Sequence, residues 1–182
     1  MMKFTSTELD GVFLISPAVH GDHRGFFLES YTSKEMEAHG LPTNFVQDNH
    51  ARSLVKGVLR GMHFQKPPFA QSKFVRVTRG AVYDVVVDMR KESRTFGKWA
   101  GFTLTEENHD MLFVPQGFAH GYCTLTDDTE FLYKVDAYYA PAHDAGICWN
   151  DPDIAIKWPV ESPVLSDKDN KLPLLKEIVS PY

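Results

Sequence analysis

The sequence predicts an all-β fold, a sandwich or a barrel, and three observations carry that expectation. Short runs rich in Val, Ile, Phe, Tyr and Thr recur along the 182 residues, turns marked by Gly and Pro separate them, and only one stretch carries clear helix signals. Many short strands with almost no helix bury their apolar faces by stacking sheets or by closing one sheet on itself. The length suits a single domain over residues 1–182, and no linker, internal repeat or low-complexity tract divides it.

Taken in order, Thr5 to Pro17 contains the apolar run Gly11-Val-Phe-Leu-Ile15, which reads as a strand, and His20-Gly-Asp-His-Arg-Gly25 reads as a tight loop. Phe26 to Tyr31 resumes extended structure. The one clear helix has Thr32 as N-cap with Glu35 three residues on, the spacing of a capping box, and Gly40 with Pro42 ends it. Phe45 to His50 leads into three central strands, Val58 to Gln65, Lys73 to Thr78 and, after the Arg79-Gly80 turn, Ala81 to Met89. Further strands are expected near Trp99 to Leu104, Met111 to Pro115, Gly121 to Leu125 and Glu130 to Tyr139, with Gly117-Phe-Ala-His-Gly121 as a turn. From Ile147 an irregular tail follows, with a short helix near Leu174 to Ile178.

A formal charge of −5 argues against general nucleic-acid binding and against an anionic membrane surface. No apolar run approaches the roughly eighteen residues of a spanning helix, and the first residues have no apolar core of signal-peptide length, so the chain reads as cytoplasmic. Cys123 and Cys148 lack C-x-x-C spacing and are expected as reduced thiols.

Period-2 alternation then assigns faces within the central strands. Lys73, Val75 and Val77 share one face; on the first strand Leu59, Gly61, His63 and Gln65 do, and on the third Val82, Asp84, Val86 and Asp88. A histidine, a lysine and a carboxylate thus stand among apolar residues on strands expected to be neighbours. Buried polar groups cost free energy unless paired, so this pattern suggests a lined cavity. Read singly, the same residues are ordinary: His63 a hydrogen-bonded core histidine, Lys73 a lysine snorkelling from a strand end, Tyr133 and Tyr139 half-buried aromatics, Arg24 and Asp22 a turn ion pair, Asp169 a loop charge.

Pro115-Gln-Gly-Phe-Ala-His120 matches the P-x-G-x-x-H half of the motif pair of cupins, which are jelly-roll barrels also called double-stranded β-helices. In metal-binding cupins the other half supplies His-x-His and then Glu; here it reads Met62-His63-Phe64-Gln65. His63 and His120 alone are poor ligation, because catalytic metal sites use about three protein ligands. No metal and no cofactor are therefore expected. A metal-dependent cupin using His63, Gln65 and His120 is one alternative, and a catalytically silent binding module is another.

From about residue 10 to 170 the chain closely resembles the dTDP-4-dehydrorhamnose 3,5-epimerase family of metal-independent cupins. The matching stretches include Gly21-Asp-His-Arg-Gly-Phe-Phe-Leu-Glu29, Phe45-Val-Gln-Asp-Asn-His50, Val58-Leu-Arg-Gly-Met-His-Phe-Gln65, Gln71-Ser-Lys-Phe-Val-Arg76, Val114-Pro-Gln-Gly-Phe-Ala-His-Gly121, Phe131-Leu-Tyr-Lys134, Tyr138-Tyr-Ala-Pro141, Trp149-Asn-Asp-Pro152 and Leu165-Ser-Asp-Lys-Asp169. The resemblance implies a cupin-type jelly roll with a few short peripheral helices, a dTDP-sugar substrate, a homodimer, and inversion at C3 and C5 beside a C4 ketone; inversion at C3 alone is the alternative within the family's chemistry. It further implies His63 as the base, Tyr133 as the acid on the opposite face, Lys73 as the cation for the enolate oxygen and Asp169 as the carboxylate that orients His63. Strand geometry makes Asp84 a rival for that last role. Arg24 and Arg60 are implied for the diphosphate, Glu29, Gln47 and Asn49 for hydrogen bonds to the nucleotide, and Tyr139 for stacking on the base. His120, Asp144 and Lys168 would complete the pocket, Asp144 being one methylene shorter than the glutamate usual in the family. Alternation puts Arg60 and His63 on opposite faces, so both reach one pocket only with a bulge at Gly61 or with Arg60 at the mouth.

Overall fold

Period-2 patterning decides the architecture, because the strands at 81–88, 111–114 and 118–124 are buried on both faces and need cover on both. The computed structural model describes residues 1–182. Its elements are β1 (Lys3–Ser6), β2 (Phe13–Ser16), β3 (Val19–Asp22), β4 (Gly25–Leu28), α1 (Ser33–Ala38), β5 (Gln47–Ser53), β6 (Leu59–Gln65), β7 (Lys73–Arg79), β8 (Ala81–Asp88), β9 (Trp99–Thr105), β10 (Met111–Val114), β11 (Phe118–Thr124), β12 (Thr129–Val135) and β13 (Asp144–Gly146). Single 3-10 turns stand at Pro141–His143, Asp169–Lys171 and Leu175–Glu177.

Two sheets face each other. One is six-stranded in the order β1-β2-β10-β7-β12-β5, the other five-stranded in the order β13-β6-β11-β8-β9, and β3 with β4 forms a separate hairpin. Neighbouring strands in both are antiparallel. Between the sheets lies a core of Val75, Val77, Leu112 and Phe131 from one side and Val82, Val86, Leu104 and Phe118 from the other. The alternate residues point outward: Val85 and Val87 of β8 pack with Met62 and Phe64 under Ile147, Ile154 and Ile156 of the tail. On the opposite outer face Phe74, Met111 and Phe113 are covered by Met2, Ile15 and Met36, the last from α1. The result is an all-β, cupin-type jelly-roll barrel with short peripheral helices, as the resemblance implies. No helix is long and apolar enough to cross a membrane.

Four local expectations need correction. The strands β6, β7 and β8 are not neighbours: β6 and β8 flank β11, while β7 lies in the facing sheet. Phe118 to His120 form the start of β11 rather than a turn, all three paired with β8, because residues apolar on both faces fit a strand covered on both sides. β12 stops at Val135 instead of Tyr139, where the Asp136 carboxylate accepts a hydrogen bond from the Ser72 backbone N–H and draws the chain off the ladder. At α1, Thr32 is the N-cap but its side chain makes no cap hydrogen bond; its carbonyl accepts from the Met36 N–H at 3.2 Å, and Gly40 (φ +69°) follows the helix end.

Candidate active site

The interior faces of the two sheets do not fill the barrel completely. A cavity of about 440 Å³ remains between them, lined by His63 and His120 from one sheet, Lys73, Phe131 and Tyr133 from the other, and the segment Val164 to Asp169 across its opening. Arg60 and Tyr122 also line it. The imidazole and the phenol therefore stand on opposite walls, with the ammonium group on the phenol's wall: Tyr133 pairs with Val75 of β7, and Lys73 stands two residues along that strand.

His63 Nε2 lies 2.6 Å from Asp169 Oδ1, and Asp169 is buried. Burial pushes the Asp169 carboxyl up, but hydrogen bonds from His63, Ser166 and the Gly61 backbone outweigh it and hold the group below the usual carboxylate range. An ionised carboxylate only accepts, so His63 donates from Nε2, and it is Nδ1 of the neutral ring that offers a lone pair. Asp84, the rival partner, serves the second histidine: both of its oxygens are 2.9 Å from His120 Nε2. Burial lowers the His120 pKa against the pull of Asp84, with the Lys73 and His63 charges adding to the fall, so the ring is neutral at pH 7.

The Lys73 ammonium points toward the His63 backbone carbonyl at 3.5 Å. Its enclosure lowers its pKa to about 8, against the Asp84 and Asp144 charges, and Lys168 adds to the fall. Tyr133 is pushed the other way: burial raises its pKa although Arg60 lowers it, so its hydroxyl keeps its proton at neutral pH. Arg60 reaches the same cavity as His63 because the register of β6 against β11 shifts between His120 and Tyr122. His120 pairs with His63 and Tyr122 with Arg60, so Gly61 and Met62 oppose Gly121 alone, the bulge that was one of the two expected alternatives. Gly61 adopts φ +144°, and a Cβ there would meet Gly121 Cα at 2.6 Å.

Beside the cavity runs a connected polar rim. Tyr139 donates its hydroxyl proton to Asp144 Oδ2 at 3.0 Å, Lys168 pairs with the same carboxylate, the Tyr139 N–H donates to Gln47 Oε1 at 3.2 Å, and Gln47 Nε2 donates to Asn49 Oδ1 at 2.8 Å. Asn49 pairs with Tyr133 across β5 and β12. Two of the implied residues are not brought to this site: Arg24 lies on the β3–β4 hairpin with its fork on Asp22 and its side chain 79% exposed, and Glu29 just beyond β4 is exposed too. Neither lines the cavity.

The ligand set of a metal-dependent cupin is not assembled. Gln65 Nε2 donates to the Phe69 and Tyr138 carbonyls and its Oε1 accepts from the Ala140 N–H, while each histidine is engaged by its own carboxylate. No three His, Cys, Asp or Glu side chains converge as metal ligands. The residue that sequence reasoning overlooked is Tyr122, two positions after His120 on β11 and so on the same strand face; that spacing was the available signal.

The chain is similar to known proteins along nearly its whole length. The family model described as dTDP-4-dehydrorhamnose 3,5-epimerase matches residues 6–177. The dTDP-4-dehydrorhamnose 3,5-epimerase of Escherichia coli is 51% identical over 180 residues, covering 98% of this chain and 97% of that protein. The crystal structure of the Bacillus anthracis dTDP-4-dehydrorhamnose 3,5-epimerase with TDP bound is 52% identical, with a TM-score of 0.94 over 96% of this chain and 99% of that one. The Legionella pneumophila dTDP-6-deoxy-D-glucose-3,5-epimerase in complex with dTDP-4-keto-L-rhamnose is 44% identical, with a TM-score of 0.94 over 98% of this chain and 95% of that one. With both its barrel and nearly its whole length shared, this chain belongs to the dTDP-4-dehydrorhamnose 3,5-epimerase family.

Proposed function

We infer that this chain is an isomerase that inverts C3 and C5 of dTDP-4-dehydro-6-deoxy-D-glucose, giving dTDP-4-dehydro-L-rhamnose, by successive enolisation beside the C4 ketone. The observation that carries the reading is the His63–Asp169 pair at 2.6 Å, facing Tyr133 and Lys73 across one cavity. His63 takes a proton from the carbon next to the ketone, the enolate oxygen collects negative charge beside the Lys73 ammonium, and Tyr133 returns a proton from the opposite face. Removal from one side and return from the other inverts the centre. One well-placed donor to such an oxyanion is worth about 3 kcal/mol, and each acid or base group contributes a factor on the order of 10² to 10⁴. Asp169 holds the His63 tautomer and stabilises the imidazolium that forms.

The remaining roles follow from the same reading. Arg60 meets the diphosphate as a guanidinium fork, Gln47 and Asn49 bind the nucleotide, Tyr139 stacks on the base, and His120, Asp144 and Lys168 complete the wall. Arg24 and Glu29 act on the nucleotide held by a second copy of the chain in a homodimer. What supports this is that neither lines its own cavity, together with Phe26 and Phe27 of the hairpin that carries Arg24, 63% and 66% exposed, an apolar surface that suits a protein partner. A monomer in sedimentation at micromolar concentration would remove the homodimer.

The test of the activity is incubation with the ketosugar nucleotide in deuterated water. Deuterium at both C3 and C5 of a rhamno-configured product is the expected result. Deuterium at C3 alone would make the chain a 3-epimerase, and bound but unexchanged substrate would reduce it to a binding module.

A further inference from the structure

We propose that the Tyr122 hydroxyl hydrogen-bonds an oxygen of the hexose, which makes Tyr122 a sugar-binding residue of the cavity in addition to Tyr133. The inference rests on the cavity being a sugar-nucleotide site, the reading given above. Its starting point is an imbalance: Tyr122 Oη is the one buried side-chain polar atom in the chain with no hydrogen-bond partner. Buried hydroxyls are nearly always paired, since leaving one unpaired forfeits its solvation with no return. Here the residue is only 5% exposed, yet it lines the cavity. Its ring is stacked on Phe131 with centroids 4.0 Å apart and planes 20° from parallel, which fixes the direction of the phenol.

The neighbours locate the missing partner. Arg60, Tyr122 and Tyr133 line the same cavity. Ser53 is close enough to influence it but lacks hydrogen-bond geometry toward it, and Arg60 Nη2 reaches that serine hydroxyl only at 3.5 Å. Arg60 is read here as a phosphate ligand and Tyr133 as the acid at the reacting carbons. An oxygen that answers Tyr122 in the cavity those two share belongs to the hexose that joins the diphosphate to the reacting carbons. The phenol serves as the donor, because burial pushes its pKa up to about 12 and keeps it protonated.

Tyr122→Phe deletes that single atom and leaves the ring stack. The expected result is a fall of about tenfold in kcat/KM and in affinity for a dTDP-hexose, with affinity for dTDP alone unchanged and Tm not lowered. Kinetic constants and dTDP-hexose affinity within about twofold of the parent would overturn the proposal. So would an equal loss for dTDP alone, which moves the contact to the phosphates, or a clear drop in Tm, which reveals a partner within the protein. If the parent chain itself neither turns over nor binds the ketosugar nucleotide, the reading of the cavity fails first, and that result is distinguishable from an active parent with an unimpaired variant.

Discussion

Two histidines in one cavity wall are each held by a carboxylate, and the two pairs are built differently. His120 and Asp84 lie on adjacent strands of one sheet, with side chains 6% and 0% exposed. His63 lies on a strand but takes its carboxylate from the segment 106 residues further on, and its ring keeps 28% of its surface. The sealed pair is fixed by the ladder itself and can do little but keep its place and its charge state. The open pair has a free ring nitrogen and a carboxylate delivered by a separate part of the chain, the arrangement expected of a base that must meet a ligand.

Removing each pair in turn should separate the two. His63→Ala should cost the most, a fall in kcat on the order of 10² to 10⁴ with dTDP affinity nearly intact, read by steady-state kinetics and nucleotide titration. Turnover near that of the parent would erase the distinction. Asp169→Asn should follow with a loss in kcat of about 10², since the amide no longer fixes the Nε2–H tautomer or offsets the imidazolium charge. Asp84→Ala should appear chiefly in urea unfolding, as a loss of about 1–3 kcal/mol for the buried His120 N–H left without a partner. A large stability loss from Asp169→Asn, or none from Asp84→Ala, would invert the comparison.

The smallest effect concerns pH. Lys73 has a folded pKa of about 8 against an ordinary 10.5, so between those values the folded state binds fewer protons than the unfolded chain. The sign is therefore opposite to that of a paired lysine: its contribution to stability becomes more favourable as pH rises from about 8 toward 10.5. Turnover, which needs the ammonium form, should fall through the same window, approaching tenfold per unit well above pH 8. Lys73→Gln should be slow and lack that alkaline limb. For Asp169, whose folded pKa is depressed, the contribution is present above its ordinary value of 3.8 and is lost as pH falls through the lower folded value.

Much of the barrel was legible locally. Alternation put Lys73, Val75 and Val77 inward and Phe74 outward, and the structure packs them so, because a strand's faces depend only on neighbours in sequence. It also left two ways for Arg60 to share a cavity with His63, a bulge at Gly61 or a place at the mouth, and the register shift is the first of them. What alternation could not supply was strand order. The partnership of Asp84 with His120 depends on β8 lying beside β11, and the opposition of His63 and Tyr133 depends on their strands belonging to facing sheets. Asp169 carries no local mark at all; it was identified only through resemblance, since a carboxylate in Ser-Asp-Lys-Asp looks like any loop charge until the tail folds back. Arg24 and Glu29 were expected by resemblance at the nucleotide, yet their hairpin leaves the body of the barrel.

The kink at Gly61 sets a clearance that no reacting group controls. Its missing side chain faces Gly121 on the next strand, where a methyl group would in turn strike Met62 Sδ at 2.7 Å and the Arg60 carbonyl at 2.8 Å. Two backbones thus touch where side chains ordinarily keep them apart. The spacing between an imidazole and a guanidinium is gauged by a pair of hydrogens, so alanine at either position would spread the strands and carry ring and fork out of reach of one common ligand.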